Sequence, residues 1–337
     1  MHILRTLVAC LALLAGGVTA TQAQTPSCTG KNVLDELRTS DEAAHARVMA
    51  AAASTENASA ILWKVEKAGS PPSHLFGTMH LTDDRINALS SATTKALADS
   101  RRLVLELDDI SPAGFMKLLT GSPQMVGLMM YTDGRRLDQL LGPEDFRKVN
   151  DVLSRSGVPP GIGGLFRPWV ATLLLSVSVC EQRRMGAGLL PLDANLAKHV
   201  ENRGIKPDGL ETLESQFRAL ASVPEPDQVE MLKSGARFYD RIDDMIETMI
   251  QLYQQRQLGA IWPLQLELAE KVGVPAKAFD SAEQSLLITR NLGMRDKALG
   301  FLADGNTFIA VGALHLPGRQ GLVTLFREAG YTVTAIE

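Results

Sequence analysis

Two histidines share one short sequence motif near opposite ends of the chain. Gly-x-x-His-Leu occurs at residues 77–81 and again at 312–316, and each copy closes an apolar run and precedes a helix-like stretch. Ligands of α/β folds bind at the carboxyl ends of strands, so adjacent strand ends would bring His80 and His315 to one pocket. Gly77 and Gly312 would let backbone or a small ligand approach closely. The alternative for each histidine is a hydrogen-bonded structural residue.

A third candidate is Glu106, which interrupts the apolar run at residues 103–107. A carboxylate in so apolar a strand is costly unless it meets a metal, a cation or the mouth of a pocket. An outward-facing strand residue is the alternative, because side chains alternate along a strand. Two histidines and one carboxylate can hold a divalent metal with open positions for water or substrate, and Mn, Co and Zn all accept these ligands. Such a metal activates water for hydrolysis.

The elements that must position these residues follow from apolar periodicity and turn residues. Strands are predicted at residues 61–66, 73–80, 103–107, 204–210, 307–314 and 331–336. Helices are predicted at residues 31–53, 85–100, 143–156, 166–184, 193–202, 226–257, 278–302 and 319–329. Alternation of strand and helix indicates an α/β fold, and no low-complexity linker divides it. We expect a single α/β domain with a mixed central sheet and many helices.

The N-terminus has the features of an export signal. Arg5 is followed by an apolar stretch at residues 7–18 and then by small residues ending at Ala23. We expect cleavage after Ala23, with Ala20 as the alternative site, and therefore a periplasmic or secreted product. The predicted organisation is a signal peptide at 1–23, a helical arm at 24–58 and the α/β domain at 59–337.

Charge and cysteine content restrict the partners. Removing residues 1–23 takes away Arg5 and no acid, so the net charge of -4 becomes -5, which argues against a nucleic-acid partner. No later segment is typical of a membrane span, so no membrane anchor is expected after cleavage. Cys28 and Cys180 are the cysteines left. An oxidising compartment favours a disulfide between them, and two free buried thiols are the alternative.

Several short motifs, taken in order, resemble the TraB/GumN family, whose relatives include the membrane-associated Tiki peptidases. The resemblance covers nearly the whole mature chain. It depends on residues 75–80, 105–108, 167–169, 192–193, 210–212 with Gln216, 290–291, 311–318, 321–322 and 330–331. It implies a fold similar to erythromycin-esterase and ChaN-like proteins. It also implies a metal site built from His80, His315 and Glu106.

Further site residues are implied by the same resemblance. Arg290 and Asn291 would line the pocket, where Arg290 could bind a substrate carboxylate or a developing oxyanion; a helix-end ion pair is the alternative. Four more polar residues fit the family pattern, or else form a buried network that positions helices: Arg167, Asp193, Glu211 and Gln216.

Together these features predict an exported, metal-dependent hydrolase acting on a peptide or other small extracytoplasmic substrate through an amide bond. The alternative is a periplasmic protein that binds a peptide or glycan without cleaving it, since the family names are linked to pheromone shutdown and to polysaccharide gene clusters. A third reading is an inactive relative whose histidines serve packing. The expected difference from Tiki proteins is that this chain has no membrane anchor after its signal. The substrates of Tiki proteins are therefore not assigned to it.

Overall fold

The computed structural model describes residues 27–107 and 123–337. The predicted signal peptide therefore lies outside the described residues. One six-stranded mixed sheet organises this part of the chain, with strands β1 (Leu62–Glu66), β2 (Ser73–Thr78), β3 (Arg102–Leu107), β4 (Asp208–Glu211), β5 (Thr307–Gly312) and β6 (Thr332–Ala335). Their order across the sheet is β4-β3-β5-β2-β1-β6. The predicted fold class, one α/β domain with a mixed central sheet, is confirmed.

Four neighbouring strands of the sheet run parallel. β5 lies between β2 and β3, and β4 pairs with the outer side of β3. β1 is antiparallel to both β2 and β6. The carboxyl ends of β2, β3, β4 and β5 therefore meet at one edge of the sheet, where ligands of α/β folds usually bind.

Helices surround the sheet. Their bounds are α1 Val33–Ser40, α2 Glu42–Ser54, α3 Asp84–Asn87, α4 Ser91–Asp99, α5 Pro123–Met129, α6 Leu137–Leu141, α7 Pro143–Arg155, α8 Pro168–Leu175, α9 Val179–Gly186, α10 Leu192–Glu201, α11 Leu213–Ser222, α12 Glu225–Phe238, α13 Ile242–Gln254, α14 Ile261–Lys271, α15 Asp280–Ala282, α16 Thr289–Asp304 and α17 Leu322–Glu328. A π-helical segment, Glu283–Ile288, joins α15 to α16.

Both faces of the sheet are buried, as parallel strands require. Leu103 and Leu105 of β3 pack into a cluster with Phe308, whereas Val104 packs into a second cluster with Ile309. The first cluster includes residues of the N-terminal arm and of α13, and the second includes residues of α16 and α17. Since side chains alternate along a strand, Glu106 shares the face of Val104 and points toward α16.

Four of the predicted helices are wrong in their extent, because each is broken in the structure. The helix predicted at 31–53 is α1 and α2, which are divided at Asp41. The helix predicted at 85–100 is α3 and α4, and Ser90 begins the second by accepting a hydrogen bond from the Thr93 N–H. Ser178 likewise divides the helix predicted at 166–184 by capping α9. The helix predicted at 226–257 is interrupted by a 3₁₀ turn after Phe238. Apolar periodicity continues through such breaks, so it did not reveal them.

The N-terminal arm is attached to the domain in two ways. Val33 donates its N–H to Thr248 Oγ1 at 2.8 Å, which holds the start of α1 on α13. Cys28 and Cys180 form a disulfide, so the arm is also bonded to α9. Across residues 27–107 and 123–337, none of the helices has the length and apolar character needed to cross a membrane.

Candidate functional site

The two Gly-x-x-His motifs lie side by side because β2 and β5 are neighbours. Thr78, at the end of β2, pairs with Gly312, at the end of β5. On the other side of β5, Leu105 of β3 pairs with Ala310. Glu106 therefore lies at the carboxyl edge of the sheet beside Gly312, where the sequence predicts a shared pocket.

Gly312 lies at the centre of the site. A methyl group built on its Cα would be 3.4 Å from Glu106 Oε2, 3.5 Å from His315 Cδ2 and 3.6 Å from His80 Nε2. The Gly312 N–H donates to Glu106 Oε2 at 3.0 Å, and the same oxygen lies 4.0 Å from His315 Nε2. The three predicted side chains thus face one small space that the glycine leaves open. A cavity of about 200 Å³ lies on the side of His80 and Glu106, and its lining residues are His80, Leu105, Glu106, Leu107, Asp193 and Gln216.

Glu106 is held as an ionised carboxylate. Its Oε1 accepts hydrogen bonds from Arg290 and, at 2.7 Å, from Gln216 Nε2. Burial by itself would raise the pKa of Glu106, but His315, Arg290 and His80, with the Gly312 N–H, lower it to about 2. Glu106 is therefore a fixed hydrogen-bond acceptor or metal ligand at neutral pH.

Arg290 is shared between two carboxylates. Besides Glu106, it contacts Glu211, whose Oε2 lies 2.6 Å from Arg290 Nη2 and 3.1 Å from Nε. Its Nη1 donates to the Leu286 carbonyl at 3.1 Å. Gln216 also bridges the two carboxylates, at 3.2 Å from Glu211 Oε2. The guanidinium is thus engaged on every side with protein groups, which favours the ion-pair interpretation of Arg290.

His80 is oriented by an aspartate on α10. Its Nδ1 lies 2.6 Å from Asp193 Oδ2, and Thr78 Oγ1 donates to the other oxygen of Asp193 at 2.6 Å. Desolvation by the surrounding protein disfavours the protonated ring, although the His80 side chain is 61% exposed. Asp193 and Glu106 outweigh this effect and raise the pKa of His80 to about 9. With Nδ1 engaged by the carboxylate, Nε2 is the atom that faces the shared space.

His315 has a single tautomer that the hydrogen bonds specify. Asn291 Nδ2 donates to the Gln320 carbonyl at 2.8 Å, which orients the amide so that its Oδ1 faces His315 Nδ1 at 2.7 Å. Because an amide oxygen only accepts, Nδ1 carries the proton and Nε2 keeps a lone pair. Burial lowers the pKa of His315 to about 4, so the ring is neutral at physiological pH.

Comparison with known proteins identifies the family of this chain. The model of the TraB/PrgY/gumN family matches residues 61–335. The chain belongs to this family. It is 24% identical over 329 residues to a protein of Xenopus tropicalis named metalloprotease TIKI2, across 83% of this chain and 60% of that one. It is 22% identical over 259 residues to the uncharacterized protein YbaP of Shigella flexneri, across 77% of this chain and 89% of that one. No solved structure matches significantly.

This TraB/PrgY/gumN chain brings together most of the residues predicted for the site. The cluster contains His80, Glu106, Asp193, Glu211, Gln216, Arg290, Asn291, Gly312 and His315. Gly77 serves packing, since a methyl group there would lie 3.0 Å from Leu316 Cδ2. Arg167 lies apart from the cluster. It donates to the Gly127 carbonyl at 2.9 Å and stacks on Tyr131, so it belongs to the helix-positioning network given as its alternative.

Sequence reasoning missed the residues that hold the segment after His80. Glu181 and Arg184 of α9 are both buried; Glu181 accepts from the Thr82 N–H at 3.2 Å, and Arg184 donates to the Thr82 carbonyl at 2.9 Å. Tyr253 donates its hydroxyl to the Gly77 carbonyl at 2.7 Å. The charges of Glu181 and Arg184 on the buried side of a short helix are the sequence signal that could have identified them. No sequence signal identifies Tyr253.

The donor atoms suit a divalent cation, although they are not gathered into a closed metal centre. Over the described ranges, no three His, Cys, Asp or Glu side chains lie close enough together to form one. His80 and His315 nevertheless present Nε2 atoms, and Glu106 presents Oε2, around the space that a Gly312 methyl would fill. The Nδ1 partners, Asp193 and Asn291, are the oxygen acceptors that usually support metal-bound histidines. The residues therefore fit such an ion in their chemistry.

Proposed function

We propose that this TraB/PrgY/gumN protein is a metal-dependent hydrolase that cleaves peptide or amide bonds. The observation that carries the proposal is the convergence of His80 Nε2, Glu106 Oε2 and the ring edge of His315 on Gly312. Two imidazoles and one carboxylate with space beside them are the ligands of many hydrolytic metal sites. Similarity to a protein named as a metalloprotease supports the choice of reaction.

In this proposal His80, Glu106 and His315 hold the cation. With a pKa of about 2, Glu106 is too weak a base to accept a proton from water at neutral pH, so it acts as a ligand. His315 is neutral and needs to lose no proton. His80, with a pKa of about 9, would have to release a proton to solvent before its Nε2 could bind a metal, so metal affinity should rise with pH.

The bound cation would polarise the substrate carbonyl and lower the pKa of a water molecule. Asp193 and Asn291 keep the two rings aimed at the space above Gly312. Arg290 compensates the negative charge of Glu106 and Glu211 through its ion pairs with both carboxylates. We assign Arg290 a positioning role, because its nitrogens are occupied by protein acceptors.

We also propose that the mature protein works in the periplasm or outside the cell, on a peptide or another small substrate. The Cys28–Cys180 disulfide supports an oxidising compartment. The mass of the purified protein's N-terminus tests this proposal. A start at Gln24 or Thr21 agrees with signal cleavage, whereas a chain recovered from the envelope with residue 1 intact contradicts it.

Metal content tests the function directly. Elemental mass spectrometry should find close to one Mn, Co or Zn per chain in protein purified without affinity histidines or chelator. The double variant His80→Ala, His315→Ala should lose it, whereas His45→Ala, His199→Ala, which removes two helical histidines outside the site, should keep it. Equally low metal in the native protein and the first variant, after refilling with each metal, would refute the proposal.

Hydrolysis needs its own measurement. The metal-loaded protein should convert members of a random peptide library to fragments, detected by mass spectrometry over time, and the Glu106→Gln variant should not. Peptides recovered bound and intact after long incubation would contradict hydrolysis and identify a binding protein instead.

A further inference from the structure

A second cavity, of about 210 Å³, lies next to the segment that carries His315. Its walls include Leu314, the neighbour of His315 in the chain, and Asn291, whose Oδ1 contacts His315 Nδ1 at 2.7 Å. Gln320, whose carbonyl accepts from Asn291, also lines it. A group bound in this cavity would therefore touch the residues that orient His315.

The cavity has an apolar wall and a carboxylate. Trp262, Leu287 and Leu314 supply much of the apolar surface, and Glu283 supplies the acid. In the part of the chain that the structure describes, Glu283 has no ion pair with a basic side chain. Burial, followed by repulsion from Asp280, raises the pKa of Glu283, and a hydrogen bond with Trp262 opposes the shift. The carboxylate thus lies half-buried without a compensating cation, which costs free energy unless a ligand supplies one.

The backbone is unusual where Glu283 lies. Glu283–Ile288 is π-helical and leads into α16, which carries Asn291. Such segments are rare and are frequent at functional sites. This one contributes Glu283, Leu287 and Ile288 to the cavity wall. At the rim, Arg319 is 89% exposed and pairs with Glu56 at 3.4 Å, so it does not neutralise Glu283.

We propose that this cavity binds a basic side chain of a peptide, with its hydrocarbon stem against Leu287 and Leu314 and its ammonium group on the Glu283 carboxylate, beside the Trp262 ring. Lysine suits the site because its stem buries along apolar surface while its charged end keeps a polar partner. An ammonium group beside a carboxylate and an indole gains charge-assisted hydrogen bonding and a cation–π contact. Only one part of this inference rests on the proposed function, namely that the bound peptide is the substrate of the hydrolase.

Binding is measured on metal-free protein, so that the result does not depend on hydrolysis. The probes are Nα-acetyl-lysine methylamide and Nα-acetyl-norleucine methylamide, which differ in the ammonium group alone. The chain has 3 tryptophans, and the Trp262→Phe variant assigns the Trp262 indole signal in a nitrogen-15 NMR spectrum. We expect the lysine probe to shift that signal with roughly tenfold higher affinity than the norleucine probe.

Two charge-removing variants complete the test. Glu283→Gln should abolish the preference for lysine, whereas Glu270→Gln, an exposed position on the same helix as Trp262, should retain it. An unmoved Trp262 signal, equal affinity for both probes, or equal loss in the two variants would overturn the inference. Peptide hydrolysis together with one of these results would refute lysine binding in the cavity and leave the proposed hydrolase standing. Lysine binding without metal or hydrolysis would refute the proposed function alone.

Discussion

Replacing Gly312 with alanine should remove metal binding while leaving the fold intact. The backbone angles of Gly312, φ -51° and ψ 134°, are ordinary for alanine, so the substitution introduces no strain. The added methyl would lie 3.4 to 3.6 Å from Glu106 Oε2, His315 Cδ2 and His80 Nε2, which is normal contact distance. It would nevertheless occupy the space that these groups face.

The expected magnitudes separate the two effects. Alanine reduces the freedom of the unfolded chain, which should stabilise the fold by about 0.4–1 kcal/mol. Lost hydration of Glu106 should cost about as much, so the free energy of unfolding should change by about 1 kcal/mol or less. Loss of a residue that supports a metal ligand typically lowers metal affinity by about ten- to a hundredfold. Gly312→Ala should lower it at least as much.

Gly300→Ala is the matched control. Gly300 lies in α16, is exposed, and has open space around its Cα. This variant should gain up to about 1 kcal/mol from helix propensity and bind metal normally. Calorimetric titration of chelator-treated protein with Zn or Mn, beside urea unfolding, measures both quantities. Native-like metal affinity in Gly312→Ala would refute the reasoning, because the three groups would then not share the space above the glycine.

Three further perturbations test other contacts. Asn291→Leu removes the acceptor that specifies the His315 tautomer, so metal affinity should fall by about ten- to a hundredfold in the same titration; an unchanged affinity would contradict the assigned tautomer. Removing the disulfide with Cys28→Ala should lower the free energy of unfolding by up to about 5 kcal/mol, since the bond joins residues 152 apart. Adding Cys180→Ala should lower it little further. A loss below 1 kcal/mol in urea unfolding, about the error of the extrapolation, would contradict a stabilising disulfide. In metal-free protein the pKa of His80 is raised from 6.5 to about 9, so the pair with Asp193 stabilises the fold fully below pH 6.5 and loses that contribution as the pH rises through 9. The stability difference between native protein and Asp193→Asn should therefore shrink between pH 6 and pH 9 in urea unfolding, and a difference independent of pH would exclude a protonated His80.

Local patterns predicted the strands well because alternation and apolar runs report burial directly. The sequence predicts β3, which carries Glu106, and the strands β2 and β5 that precede His80 and His315, with ends displaced by a few residues. Helix ends were harder, because capping by Ser90 and Ser178 depends on which backbone N–H groups remain unpaired. Arg290 and Asn291 entered as candidates through family resemblance, since no local pattern distinguishes them from other helix residues.

The sequence by itself determined which residues could carry chemistry: a carboxylate and two histidines at the ends of apolar strands cannot stay there without polar partners. Only the tertiary structure decided that they meet, because β5 lies between β2 and β3 and thereby joins residues more than 200 positions apart. It also decided the partners: Arg290 lies between Glu106 and Glu211, and Asn291 faces His315. Strand order and helix packing depend on the whole core, so no local stretch of sequence encodes them.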